Sequence, residues 1–262
     1  MLVIGERING MFKDVGQAIA DKDKATIQDL AKRQVAAGAG MLDVNVGPAA
    51  ADAVAAMQWL VEAIQEVTDV PLALDSTKAS VIEAGLKLVK KKAIINSTTA
   101  AQKKLDKLLP LAKKYQAGLV GLTMGEKGIP RDKNERSEFA AQIVSSCMEA
   151  GIDLQDVYLD PIILPVNVAQ AQAKEVLESI REFSLLSDPP PKTVVGLSNI
   201  SQGTDQRNLI NRIFLVMAAA SGLDAAIVDP LDGELMDAMI TAELILNKHI
   251  YCASFLNSYR KK

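Results

Sequence analysis

Eight short apolar runs alternate with amphipathic stretches along the chain, and nearly every run ends in Asp, Asn, Ser or Thr. The runs are Leu2–Gly5, Leu42–Asn45, Leu72–Asp75, Ala93–Asn96, Leu119–Thr123, Val157–Asp160, Thr193–Ser198 and Ala225–Asp229. Parallel strands covered by helices are buried on both faces and read as continuous apolar runs. Eight strand–helix units predict an α/β fold, a single closed (β/α)8 barrel spanning residues 1–262. In that architecture the C-terminal ends of the strands face the active site. One pattern therefore predicts both a fold and a set of candidate site residues.

The stretches between the runs have helical spacing. Ile27, Leu30, Ala31 and Val35 share a face before Gly38, and Val54, Met57, Val61 and Ile64 form a second stripe. Leu105, Leu108, Leu109 and Ala112 form a third, where Pro110 predicts a kink or a late start. Val176, Ile180 and Phe183, then Leu235, Met239 and Leu246, complete the series. All are read as helix packing onto the barrel, the methionines included. Ser187–Lys192 is a turn before the seventh strand, too short to be a domain linker. Met124–Asn134, charged and glycine-containing, reads as a mobile lid. Asn199–Arg207 is rich in hydrogen-bonding side chains, and both loops are expected on the catalytic face.

The chain has 262 residues, 49% of them apolar, ample for one large core. Its 29 basic and 32 acidic residues read as well mixed, with no basic stretch interleaved with aromatics, so nucleic-acid binding is not expected. Cys147 and Cys252 lie far apart and form no CxxC pair, which predicts a reduced, cytoplasmic setting. Glu6 and Arg7 follow a very short apolar run, unlike a signal peptide, and no run reaches the length of a membrane span. The single histidine, His249, is too little for a zinc site or for the axial-histidine loop of a corrinoid carrier. No protein-bound metal is expected, and corrinoid chemistry would have to arrive on another molecule.

Candidate chemistry concentrates at the strand ends. Asp75, Asn96 and Asp160 end the third, fourth and sixth runs. Carboxylates accept hydrogen bonds and an amide does both, so together they suit the amino-pyrimidinone edge of a guanine or pterin. Each is also a candidate helix cap, with Asp75 and Asn96 both preceding Ser-Thr. Three on one barrel face favour function. Asp43 is read as structural, pairing with Arg7, and Asn45 either lines the site floor or does not. Glu6 and Arg7 read as a buried ion pair, Pro161, Pro165 and Asn167 as loop structure, and Asp229 as a turn residue. Cys147 reads as a small packing residue, and His249 as a packed or surface histidine.

Six motifs then stand in order along the chain: Gly5-Glu-Arg-Ile-Asn-Gly10, Asp43-Val-Asn-Val-Gly-Pro48, Leu74-Asp-Ser-Thr77, Ile95-Asn-Ser-Thr98, Leu159-Asp-Pro-Ile-Ile-Leu-Pro165 and Gly196-Leu-Ser-Asn199. Together they resemble the pterin-binding methyltransferases, above all the methyltetrahydrofolate:corrinoid/iron–sulfur protein methyltransferases of the reductive acetyl-CoA pathway, over essentially the whole chain. The resemblance implies a homodimeric TIM-barrel enzyme that passes the N5 methyl of 5-methyltetrahydrofolate to Co(I) of a corrinoid (cobalamin-type) cofactor on a separate corrinoid iron–sulfur protein. It implies that Asp75, Asn96 and Asp160 hold the pterin ring. Asn199 would sit on a mobile loop and reach N5, and Gly196, Ser198, Gln202 and Arg207 would lie near the substrate. Asn199, Asp160 and Asp75 are the expected catalytic groups. Related barrels serve demethylase and methionine synthase systems. Dihydropteroate synthase shares the pterin site but uses a basic Ser-Arg-Lys type motif where this chain reads Ser198-Asn199-Ile200.

Overall fold

The computed structural model describes residues 1–48, 50–126 and 128–251. Cys252 lies outside them. Eight strands occur: β1 (Leu2–Asn9), β2 (Met41–Asn45), β3 (Leu72–Asp75), β4 (Ile94–Thr99), β5 (Gly118–Leu122), β6 (Val157–Asp160), β7 (Lys192–Gly196) and β8 (Ala225–Val228). All neighbours pair in parallel, and β8 returns to β1 to close the barrel. Two helices, α1 (Lys13–Asp21) and α2 (Lys24–Ala36), cross from β1 to β2. The remaining crossovers are α3 (Ala53–Gln65), α4 (Ala79–Leu86), α5 (Gln102–Tyr115), α6 (Lys133–Ala150), α7 (Val166–Phe183) and α8 (Arg207–Ala220), and α9 (Gly233–Ile245) follows β8.

The predicted strands are all present, with shifted ends. β1 continues to Asn9 and β4 to Thr99, each through a register shift, while Leu197–Asn199 leave β7 as a 3-10 turn. The predicted stripes pack as expected except at their ends, where Val54 and Leu246 are exposed. Helix α5 runs through Pro110 without interruption, since the proline ring faces solvent and only one backbone donor is lost.

Strand side chains alternate between the two faces of a sheet. One face of each strand therefore meets the helices and the other meets the barrel axis. Ile4, Met41, Ala73, Ile94, Val120, Tyr158, Val194 and Ala225, one from each strand, fill the inside as a separate apolar cluster. A larger cluster between strands and helices includes Leu42, Leu74, Ile95, Leu119, Leu159, Val195 and Ala226. Asp23, Asp52, Asp132 and Asp232 cap α2, α3, α6 and α9 by accepting from backbone N–H groups in the first turn. Such caps contribute about 1 kcal/mol each.

The ends of β1 and β2 approach closely. A Cβ on Gly10 would lie 2.3 Å from the Val46 carbonyl oxygen, and Gly47, at φ +72°, packs its backbone on Gly10. Backbone on both sides leaves nothing flexible to yield. Gly10→Ala is expected to destabilise the protein by about 1–3 kcal/mol in urea denaturation, the usual cost of overpacking.

Candidate functional site

The alternation that fills the barrel also builds the site. Moving two residues from the interior apolar residue toward the C-terminal end of the strand gives Glu6 on β1, Asp43 on β2, Asp75 on β3, Asn96 on β4 and Asp160 on β6, while β5, β7 and β8 give Leu122, Gly196 and Ile227. Each therefore projects inward above the apolar layer. A second step along β2 reaches Asn45, and a second step from Ala225, past Ile227 and just beyond β8, reaches Asp229.

Capping does not explain these residues. The residue preceding α4 is Lys78 and that preceding α5 is Ala101, and neither helix has a side-chain cap. Asp75 and Asn96 are engaged across the strands instead. Asn45, Asp75 and Asn96 are register partners on β2, β3 and β4. Asn45 Nδ2 donates to Asp75 Oδ2 at 2.6 Å, and Asn96 Nδ2 donates to Asp43 Oδ1 at 2.9 Å. The two carboxyls of Asp43 and Asp75 are thus tied by amides, with no cation paired to either among the described residues.

Burial pushes the Asp43 carboxyl well above the usual carboxylate range, and the neighbouring Asp75 charge adds to the effect. Burial likewise raises Asp75, opposed by the bond from Asn45. With no counter-ion beside them among the described residues, both carboxyls are thus biased toward their protonated forms.

Asp160 is nine-tenths buried at the end of β6. Its Oδ1 accepts from Ile162 N at 2.7 Å, and its carbonyl accepts from Thr123 N and Oγ1 at 2.9 and 3.0 Å. Burial pushes its carboxyl up from an ordinary 3.8 to about 7, against the lowering effects of the Ile162 bond and the Arg136 charge. Arg136 is fully buried on α6 beneath this loop. Its Nε donates to Pro161 O at 2.6 Å and its Nη2 to Gln172 Oε1 at 2.8 Å, while Nη1 has no partner among the described residues.

The remaining candidates gather on the β7–β1 side. Ser198 Oγ donates to Glu6 Oε1 at 2.7 Å, and Glu6 is raised chiefly by burial. Arg207 Nε donates to Ser201 Oγ at 3.2 Å and its Nη2 to Ser198 O at 3.3 Å, so this arginine holds the turn that carries Asn199. Gln202 N donates to Asn199 O at 3.3 Å. A Cβ on Gly196 would lie 3.2 Å from Asn199 Nδ2, so the glycine leaves room for that amide. The Asn199 side chain is exposed and makes no hydrogen bond among the described residues. A cavity of 1020 Å³ opens here, lined by Glu6, Arg7, Ser198, Asn199, Gln202, Arg207 and Asp229. Asp75, Asn96 and Asp160 lie on the same barrel face outside this cavity's walls.

Several expectations are corrected. Arg7 pairs with Asp14 at 3.0 Å and lies over the Phe12 ring, so it joins neither Asp43 nor Glu6. Asp43, Asn45 and Glu6 belong to the polar layer. Within the described part of the Met124–Asn134 loop, Gly125 and Gly128 form an antiparallel bridge, and a Cβ on Gly125 would lie 2.7 Å from Phe139 Cε1 of α6. Asp229 does stand in a turn, accepting from Leu231 N at 3.0 Å. Cys147 is fully buried in α6 and burial pushes its thiol up to about 12. His249 meets the buried Glu243 at 3.4 Å. Among the described residues no group of three or more His, Cys, Asp or Glu could hold a metal ion, and no helix is long and apolar enough to cross a membrane.

With this geometry in place, the similarities to known proteins become specific. The pterin binding enzyme family matches residues 11–229. The chain belongs to that family. Methylcorrinoid:tetrahydrofolate methyltransferase of Eubacterium limosum is 30% identical over the whole chain and 97% of its own length. Methionine synthase of Mycobacterium tuberculosis is 31% identical over 87% of the chain, which spans 20% of that larger protein. Among solved structures, dihydropteroate synthase of Yersinia pestis superposes with a TM-score of 0.70 at 22% identity, covering 94% of this chain and 93% of that one. The likeness confirms the barrel architecture.

The buried Asp160 generates a pH prediction. A carboxyl whose folded pKa lies above its unfolded value binds its proton more tightly when folded. Its contribution is therefore complete below about pH 4 and is lost as pH rises to about 7. Asp160→Asn keeps the acceptor for Ile162 and cannot ionise. It is expected to be more stable than the wild type at pH 8 by a few kcal/mol, since each tenfold gain in proton affinity on folding is worth about 1.4 kcal/mol. It should also flatten the pH dependence of urea denaturation between about pH 4 and 7. Equal slopes in the two proteins would contradict the assignment.

Proposed function

We propose that this protein transfers a methyl group between N5 of tetrahydrofolate and the cobalt of a corrinoid carried by a separate protein. In the forward sense the donor is 5-methyltetrahydrofolate and the acceptor is Co(I) of a corrinoid iron–sulfur protein of the reductive acetyl-CoA pathway. The Eubacterium limosum relative is named for the reverse sense, and one site serves both because both directions share a transition state. The carrying observation is the Asn199 amide, unpartnered at the cavity wall on the same barrel face as inward-facing carboxyls and amides.

The layer of Asp75, Asn96 and Asp160 suits a pterin edge. A carboxylate takes the ring N–H and exocyclic amine together, and an amide takes the adjacent carbonyl. Burial at the bottom of the site strengthens such bonds. The methyl transfer itself is an SN2 displacement. Neutral N5 would leave as an amide anion, so a proton or strong hydrogen bond must develop at N5. General acid assistance of this kind is worth about 10²–10⁴ in rate. An asparagine amide does not titrate, but it both donates and accepts. Asn199 can therefore serve N5 before and after protonation, with the proton drawn from solvent through Asp160 or Asp75. Cobalt supplies the nucleophile as a substrate, and this chain supplies placement. We propose a homodimer as well, as the family resemblance implies.

Asn199→Ala is expected to fold normally yet lose folate affinity and about 10²-fold or more of the rate, measured by stopped-flow loss of Co(I) absorbance. Full activity in the folded variant would remove Asn199 from the mechanism. Folate binding should also tighten as pH rises through about 7, because Asp160 must ionise to accept two N–H bonds. Calorimetry in buffers of different ionisation enthalpy should show a proton released on binding, and Asp160→Asn should bind weakly with that release reduced.

A further inference from the structure

The near-balanced net charge conceals two oppositely charged regions. Residues 78–114 hold ten lysines against two acidic residues, Glu83 and Asp106, whereas the rest of the chain holds nineteen basic and thirty acidic residues. The expectation of evenly mixed charge is thereby corrected. The fold gathers this stretch into one wall made of α4, β4, α5 and their connections. Lys103, Lys107 and Lys114 recur on the solvent face of α5 at helical spacing, and Lys87 and Lys91 follow α4.

Few of these charges are neutralised. Glu83 is taken by Lys114 at 2.9 Å, and Asp106 accepts from Gln102 at 2.8 Å. Lys78, Lys87, Lys91, Lys103, Lys107 and Lys113 have no ion-pair partner among the described residues. The upper end of the wall is the rim above β3 and β4, where Lys104 Nζ donates to Thr77 O at 2.8 Å, next to the strand ends that carry Asp75 and Asn96. Across the ring, β8 stands opposite β4. Its side of the cavity carries Asp229, Asp232, Glu234 and Asp237.

The composition of the wall selects its partner. It contains no arginine, and its one aromatic residue, Tyr115 at the end of α5, lies under Lys114 and donates to Glu83. It therefore lacks the planar forks that grip phosphates and any row of open rings on which bases could stack. Compact, mobile ammonium groups create a field, and such fields raise encounter rates with an oppositely charged protein without fixing each contact. We propose that the α4–α5 lysine wall is the steering and docking surface for an acidic face of the corrinoid-carrying protein. This rests on the methyltransferase reading, which requires the acceptor to arrive on a protein and to reach the rim above Asp75 and Asn96.

The test combines Lys87→Glu, Lys91→Glu, Lys103→Glu and Lys107→Glu in one full-length variant. Methyl transfer is followed at several salt concentrations with two acceptors, a corrinoid iron–sulfur protein and free cob(I)alamin. The wild type should lose kcat/KM for the protein acceptor as salt rises. The variant should lose about tenfold or more at low salt, with a flattened salt dependence, while its rate with free cob(I)alamin stays that of the wild type. An unchanged rate on the protein acceptor at low salt would overturn the proposal. So would a loss seen with polyglutamyl but not monoglutamyl methyltetrahydrofolate on free cob(I)alamin, which would assign the wall to the folate tail. Failure of the wild type to transfer methyl to either acceptor would overturn the methyltransferase reading, and this proposal with it.

Discussion

Side chains along a strand alternate, and a closed ring of eight strands turns that alternation into layers. Every inward residue shares its height with inward residues of its neighbours. The apolar layer with Ile4, Met41, Ala73 and Ile94 closes the interior. The next step along each strand has no apolar neighbours above it and faces the open end. Polar groups can be placed there at little cost to the core. Glu6, Asp43, Asp75, Asn96 and Asp160 all stand at that step, so the site is an extension of the core's own geometry.

That placement creates an electrostatic problem which the chain handles with amides. Asp43 is buried, Asp75 is half-buried beside it, and neither is paired with a cation among the described residues. An arginine here would neutralise them but would fill the space a planar ligand needs. Asn45 and Asn96 instead satisfy one oxygen of each carboxyl and add no charge. A buried cation nearby, Arg136, lies behind the β6–α7 loop and acts on Asp160 from outside. The ligand-facing side is thereby left to groups that gain or lose protons rather than to fixed ion pairs.

Much of this is legible in the order of residues alone. Eight apolar runs ending in polar residues identify the barrel because a parallel strand has no solvent face. Asp75, Asn96 and Asp160 stand out because they end those runs. Glu6 is hidden when β1 is read as stopping at Gly5, whereas alternation from Leu2 and Ile4 already points it inward. Asp43 and Asn45 follow Met41 by the same rule. Arg136 carries a subtler signal: it occupies the first position of the buried stripe Arg136, Ala140, Ile143, Val144 and Cys147. Its partners, a loop carbonyl and Gln172, are set by tertiary packing and leave no local trace. The lysine wall is masked because the whole-chain total averages two regions that sequence order keeps apart.

The turn after β7 joins a fixed frame to a free group. Ser198 is held by Glu6 and by Arg207, and the backbone around Asn199 is bonded to Gln202. The Asn199 amide has no hydrogen bond among the described residues and rests where Gly196 lacks a side chain. Turning that amide needs rotation about two side-chain bonds, a picosecond-to-nanosecond event, rather than the microsecond rearrangement of a loop. On the proposed function, the step that recruits this group would be far too fast to limit turnover, which falls instead to the chemistry or to the exchange of the protein-borne acceptor.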